Sequence, residues 1–122
     1  MKIAQERPEG KNTFTGYGEG YVEVNRARHS TSLVVNADRV ITDWPAVSIE
    51  TLSADHIAAI LELAPEIVLL GTGPAFRFPD AARLALLYQA GIGVEVMDTP
   101  AACRTYNILL GEGRNVVAAL IV

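Results

Sequence analysis

Two stretches decide the fold: Ile67-Val68-Leu69-Leu70-Gly71-Thr72-Gly73-Pro74 and Gly93-Val94-Glu95-Val96-Met97-Asp98-Thr99-Pro100. Each is a largely apolar run that ends in a turn-forming loop, a pattern typical of a strand in a parallel sheet. Ligands of open α/β sheets bind outside the carboxyl ends of the strands, beside helix N-termini. The sequence therefore predicts a binding site at the two loops.

Helix signals alternate with strand signals from residue 53 onward. The predicted helices, with their start and stop residues, run from Ser53 to Pro65, from Asp80 to Gly91 and from Thr99 to Gly111. Pro100 stands at the first position of the third helix, where proline is favoured. A last apolar strand is expected at Val116–Val122. Strands that alternate with helices imply parallel pairing and right-handed crossovers.

The N-terminal half has a different pattern. Strands are predicted at Tyr21–Asn25 and Ser30–Val35, and Arg39–Thr42 pairs as a hairpin partner after a turn. Residues 1–20 are polar and turn-rich and are expected to form a flexible arm. The prediction is a single compact α/β domain over residues 21–122. Its central sheet is mostly parallel with flanking helices, and an N-terminal antiparallel β-hairpin layer is added.

Composition excludes several classes of protein. The chain has 122 residues, of which 50% are hydrophobic, and a net charge of −4 without any basic run. Enough apolar material is present for a core, whereas nucleic-acid binding has little electrostatic support. Cys103 is the single cysteine, which excludes an internal disulfide and a multi-cysteine zinc site.

The N-terminus and the hydropathy pattern bear on location. Met1–Pro8 contains charged residues and no apolar segment typical of a secretion signal. No stretch approaches the roughly 20 apolar residues that a membrane span requires. We therefore expect a cytoplasmic protein without a membrane span.

The loops supply the candidate ligand-binding residues. Glycines after a strand permit positive φ and let backbone N–H groups face a ligand, but neither G-x-G-x-x-G nor G-K-[ST] is present. A tight turn is the alternative reading. Thr99 begins a helix whose N–H groups could bind an anion, or it could simply cap that helix. The candidate ligand- or anion-binding residues are Gly71, Thr72, Gly73, Thr99, Ala102, Cys103 and Asn107.

Catalytic and metal chemistry have weaker support. Cys103, near a helix start and beside Arg104, could be a nucleophile, but no base is placed near it by local spacing. A buried structural cysteine is the alternative. His29 and His56 do not have metal-ligand spacing. We therefore assign no catalytic residue, and expect no metal and no cofactor.

Charged residues of the second half are predicted to form structural ion pairs. Glu95 lies in a strand expected to be covered, where a carboxylate needs a partner. Arg104 and Arg114 are the candidate partners, and Glu112 is a further acid beside Arg114. This structural role is favoured over acid–base catalysis.

Several segments closely resemble a small domain-of-unknown-function family. The matching residues are Gly93–Thr99, Ala101–Asn107, Glu112–Arg114, Val117–Leu120, Leu69–Gly73, Ser32–Val35 and Trp44. The eukaryotic member of that family is the mitochondrial respiratory complex I assembly factor 3, and this chain looks like a prokaryotic member. The resemblance implies a compact α/β domain with an added hairpin layer, and it brings no established catalytic residues.

Two functions follow from these observations. The first is a non-enzymatic, assembly-type accessory protein that binds another protein, by resemblance a respiratory complex subunit. The second is a small-molecule or anion-binding domain, or an enzyme, that uses the Gly71–Gly73 loop and the Thr99 helix start. Redox work by Cys103 is a third reading. Self-association into a homo-oligomer is also compatible with the sequence.

Overall fold

Two β-sheets and three α-helices make up the structure, a computed structural model that describes Met1, Ile3 and residues 10–122. In chain order the strands are β1 (Phe14–Gly18), β2 (Tyr21–Val24), β3 (Ala27–His29), β4 (Leu33–Val35), β5 (Val40–Ile41), β6 (Ile67–Gly71), β7 (Gly93–Met97) and β8 (Val116–Leu120). The α-helices are α1 (Ala54–Leu61), α2 (Ala85–Gln89) and α3 (Thr99–Gly111).

The central sheet has five strands in the order β5-β4-β8-β6-β7. β6 pairs in parallel with both β7 and β8, as the alternation of strands and helices predicts. β4 pairs antiparallel with β8 and with β5, so the sheet is mixed rather than mostly parallel. The β4–β5 hairpin extends the central sheet beyond β8. β4 is buried throughout because its side chains pack into the buried clusters on both faces of the sheet.

The N-terminal layer is a second, antiparallel sheet in the order β1-β2-β3. It confirms the predicted hairpin layer, but its first strand lies inside the segment expected to be a flexible arm. Phe14 and Tyr17 of β1 are buried, and the backbone of Tyr17 donates to the Met1 carbonyl at 2.9 Å. The glycines at positions 16 and 18 break the alternating pattern of a strand, so the sequence does not predict β1. Residues 2 and 4–9 of the predicted arm lie outside the described residues.

The central sheet separates two clusters of buried side chains. One cluster lies between this sheet, α3 and the β1–β3 sheet, and contains Phe14, Leu69 and Tyr106. The other lies under α1 and α2 and contains Trp44, whose indole N–H donates to the carbonyl of His56 at 3.1 Å. None of the helices in the described part of the chain is long and apolar enough to cross a membrane.

Helix starts follow the predicted signals in two cases. Ser53 caps α1 in a capping box with His56, and serine is a favoured residue at this position. Asp80 accepts from the Ala82 N–H at 3.0 Å, but the first turn there is a 3₁₀ turn and α2 starts only at Ala85. Leu84 and Leu87 of this segment are buried, whereas Tyr88 is 52% exposed.

Candidate functional site

The end of β6 lies unusually close to the start of α3. A Cβ atom at Gly71 would lie 2.7 Å from Leu120 Cδ2 and 2.8 Å from Thr99 Oγ1, both far inside normal contact distance. Gly73 has a φ of +104°, in the left-handed region that glycine adopts without strain. The two glycines therefore serve close packing and a turn, in line with the tight-turn alternative.

Thr72 shapes the loop that follows β6. Its backbone N–H donates to the carbonyl of Met97 at 2.9 Å, which extends the β6–β7 pairing by one residue. Its hydroxyl donates to the carbonyl of Ala75 at 2.7 Å and accepts from the N–H of Arg77 at 3.1 Å. The hydroxyl therefore makes both of these hydrogen bonds within the loop.

Thr99 joins three elements through one buried hydroxyl. Its Oγ1 donates to the carbonyl of Ile121 at 2.6 Å and accepts from the N–H of Gly73 at 2.9 Å. Its backbone N–H donates to the carbonyl of Gly73 at 2.8 Å. The residue therefore fastens the start of α3 to the loop after β6 and to the end of β8.

The residue that caps α3 is Asp98, not Thr99 as predicted. The Asp98 carboxylate accepts from the N–H of Ala101 at 2.8 Å, and its carbonyl accepts from Ala102 at 3.0 Å. Pro100 has no N–H, and the N–H of Thr99 is bonded to the loop. Since an anion binds a helix start through free N–H groups, this one has none to offer in its first turn. The anion-binding role stays a prediction, and these contacts weaken it.

Ala102 and Cys103 lie in the core. Both are completely buried, and burial raises the pKa of the Cys103 thiol to about 12 despite the opposing charge of Arg104. A thiol with that pKa is protonated at neutral pH and is therefore a poor nucleophile. Cys103 is therefore a buried core residue, which agrees with the alternative of a structural cysteine.

Asn107 binds the backbone of β1. Its Oδ1 accepts from the N–H of Phe14 at 2.9 Å, and its Nδ2 donates to the carbonyl of Phe14 at 2.7 Å. One side chain thus meets both polar groups of a buried backbone position, as a neighbouring strand would. Asn107 therefore connects α3 to the N-terminal sheet.

An open cleft of about 560 Å³ lies beside these anchored elements. Its lining residues are Tyr17, Gly18, Glu19, Gly20, Tyr21, Gly73, Pro74, Thr99, Pro100, Ile121 and Val122. Of the predicted ligand-binding residues, only Gly73 and Thr99 reach it. The turn between β1 and β2 forms one wall, and sequence reading misses that wall because it treats residues 1–20 as an arm.

The predicted ion pairs form differently. Arg114 Nε contacts Glu66 Oε1 at 3.0 Å on the surface, and this contact lowers the pKa of Glu66. Glu95 is exposed because β7 is an edge strand, so the premise that it needs a buried partner was wrong. Arg104 donates to the hydroxyl of Tyr17 at 2.6 Å instead of to a carboxylate.

Ion pairs between described residues do not include Glu95, Arg104 or Glu112. The hydrogen bond to Glu66 is the main cause of the raised pKa of Arg114, and the charge of Glu112 adds to it. Within the described ranges, no three His, Cys, Asp or Glu side chains lie close enough to hold a metal ion.

Two phenylalanines of the loop after β6 are exposed. Phe78 is 87% exposed and Phe76 46%, and their rings pack edge to face with centroids 4.7 Å apart. Arg77 between them pairs with Glu50 at 3.0 Å, which joins the loop to the segment before α1. We call residues 72–80 the aromatic loop.

Sequence comparison identifies the family. The sequence model of the family described as protein of unknown function (DUF498/DUF598) matches residues 14–121. The chain belongs to the DUF498/DUF598 family. The match begins at the first residue of β1, so the family domain includes this strand, which lies within the segment predicted to be an arm.

Two relatives represent the named members of the family. The 13 kDa major membrane protein of Francisella tularensis is 30% identical over 122 residues, covering 99% of both chains. The human NADH dehydrogenase [ubiquinone] 1 alpha subcomplex assembly factor 3 is 35% identical over 105 residues, covering 76% of this chain and 57% of the human protein. This chain therefore spans about half the length of the assembly factors it matches.

Solved structures share the fold. A crystal structure from Bordetella parapertussis has a TM-score of 0.85 at 40% identity and covers 93% of this chain and 98% of its own. A Bordetella pertussis protein described as a Mth938-like domain has a TM-score of 0.80 at 33% identity, covering 98% and 91% respectively. The DUF498/DUF598 domain described above is therefore Mth938-like in fold.

Proposed function

We propose that the protein is a non-enzymatic accessory factor that binds another protein and assists the assembly of respiratory complex I. The relatives named as complex I assembly factor 3 support this function. The candidate residues also favour it, because Thr99 and Asn107 are used in internal hydrogen bonds and Cys103 is buried.

The exposed aromatic loop is the observation that carries a binding role. Burying an exposed phenylalanine contributes roughly 1.5–3 kcal/mol. The hydroxyl of Thr72 and the Arg77–Glu50 pair hold the loop in shape, so ordering it on binding costs little. Large aromatic side chains on a held loop are typical anchors of protein interfaces.

Complementation of cells that lack the gene tests this function. We expect deletion to lower NADH oxidation by isolated membranes, and the wild-type gene to restore it. Phe78→Ser should restore it poorly because the most exposed anchor is lost, whereas Tyr88→Ser, on the surface of α2, is the matched control and should restore it fully. Unchanged NADH oxidation after deletion would refute the assembly role.

The cleft supports a second candidate function, the binding of a small molecule. Its volume of about 560 Å³ is in the range of ligand sites, and tyrosine, proline, isoleucine and valine side chains form much of its wall. Thermal shift against nucleotides, phosphates, carboxylates and apolar compounds tests it. A ligand at a hundred times its Kd should stabilise the protein by about 2.7 kcal/mol. Absence of any shift across the set would argue against the cleft.

We also propose a cytoplasmic location. Cell fractionation tests it, and the name of the Francisella relative makes the membrane fraction the alternative. Recovery of the protein in washed membranes would contradict the proposal.

A further inference from the structure

The outer edge of β7 has free backbone groups. Within the described part of the chain β7 pairs only with β6. The N–H of Gly93 donates to the carbonyl of Glu66 at 3.2 Å, and the carbonyl of Met97 accepts from Thr72 at 2.9 Å. Residues 93, 95 and 97 therefore face β6, and the N–H and C=O groups of residues 94 and 96 point away from the sheet.

The side chains of β7 present two different faces. Val94 and Val96 pack against the buried cluster under α1 and α2, which holds the strand in place. Glu95 is on the opposite face, is exposed, and is the one charged residue of the strand. The edge thus combines four backbone groups that have no partner among the described residues with a single negative charge at its centre.

We propose that the β7 edge binds an extended segment of a partner protein, which adds a sixth strand to the central sheet and carries a basic residue opposite Glu95. This inference rests on the proposed protein-binding function and adds a second contact surface to the aromatic loop. Backbone hydrogen bonds supply affinity in such strand addition, and side chains supply specificity. Opposite charges that face each other across two strands stabilise the pair.

A second copy of the chain fits this edge poorly. The antiparallel register that pairs every free group joins Val94 of one copy to Val96 of the other, and it places the two Glu95 residues directly opposite each other. Facing residues at such a position have Cα atoms about 4.5 Å apart, where like charges destabilise the pair. Glu95 therefore disfavours self-pairing and favours a basic partner.

The test uses an acetylated, amidated peptide, Ser-Thr-Val-Lys-Val-Thr-Ser, and amide hydrogen exchange of the whole protein measured by NMR. At ten times the Kd of the peptide, exchange at Val94 and Val96 should slow about tenfold, because the free fraction falls to about a tenth. Exchange at Glu95, whose N–H faces β6, should not change. No slowing at the solubility limit of the peptide, or slowing confined to other residues, overturns the inference.

Two matched changes separate strand addition from nonspecific contact. The peptide methylated on the backbone nitrogens of both valines should lose binding, because it lacks two donors. Glu95→Lys should weaken the lysine peptide roughly two- to fivefold and strengthen a glutamate-centred peptide by a similar factor. Equal binding of the methylated peptide, or no dependence on the charge of residue 95, also overturns the inference.

A protein-side variant checks the backbone contact. Val96→Pro removes one outward N–H and leaves the β6 pairing intact, since proline is tolerated where an edge strand faces solvent. The variant should lose peptide binding. It should restore NADH oxidation in the deletion strain only if the partner binds elsewhere. Loss of peptide binding together with full restoration of NADH oxidation therefore refutes the β7 site alone, whereas unchanged NADH oxidation after gene deletion refutes the proposed function.

Discussion

Thr99→Val removes one hydroxyl and keeps the size and branching of the side chain. In the wild-type protein this hydroxyl donates to the carbonyl of Ile121 and accepts from the N–H of Gly73, and Thr99 is only 5% exposed. Valine can make neither bond. The substitution therefore leaves one donor and one acceptor of the backbone without partners, while it creates no cavity.

The expected cost follows from those two groups. A buried polar group that loses its partner costs about 1–3 kcal/mol, so Thr99→Val should lower the free energy of unfolding by about 2–4 kcal/mol. For a chain of 122 residues, the usual entropy of unfolding makes 1 kcal/mol equivalent to roughly 4 °C in Tm. The variant should therefore unfold roughly 8–16 °C below the wild type.

Urea unfolding and calorimetry measure this cost, and Thr99→Ser is the matched control. Serine keeps the hydroxyl and loses only a methyl group, so we expect it to cost about 1 kcal/mol. Both variants should keep the wild-type m value, since the surface exposed on unfolding does not change. Thr99→Val as stable as Thr99→Ser, or more stable, would show that the hydroxyl does not hold the three elements together.

Three further predictions concern neighbouring buried groups. Asn107→Asp places a carboxylate oxygen against the carbonyl of Phe14, so urea unfolding should show a loss of about 2–4 kcal/mol at pH 7 that shrinks toward pH 4 as the carboxyl is protonated. Gly71→Ala should cost about 1–3 kcal/mol because its Cβ would lie 2.7 Å from a leucine methyl carbon, whereas Gly93→Ala, with nearest atoms at 3.8 Å, should change calorimetric Tm little.

The third prediction concerns the Cys103 thiol. Because its pKa is about 12 in the folded protein, only the unfolded chain releases the thiol proton near pH 9. The free energy of unfolding should therefore fall by up to about 1.4 kcal/mol from pH 9 to pH 10. Cys103→Ser should reduce that slope, and an equal slope in the variant would contradict the buried thiol.

The second half of the fold follows from local sequence signals. β6 and β8 are continuous apolar runs, which is what a strand with both faces covered requires. Ser53 and Asp80 cap helices because their short polar side chains reach nearby N–H groups. β1 was missed because its glycines and a bulge between Phe14 and Gly16 break the alternation that identifies a strand.

Sheet order is set by contacts distant in sequence. β4 joins β8 through pairs such as Val34 with Ala119, and nothing in either segment alone predicts that partner. The same pairing makes the sheet mixed and leaves β7 at its edge. That position exposes Glu95, which sequence reasoning expected to be covered.

The sequence by itself determined the family, the α/β class and the hairpin layer. It could do so because helix caps, apolar periods and turn residues act over a few positions. Only the tertiary structure decided what the polar side chains do. The side chains of Thr99 and Asn107 donate hydrogen bonds to backbone groups 22 and 93 residues away in sequence. Pairing over such distances depends on how the whole chain packs.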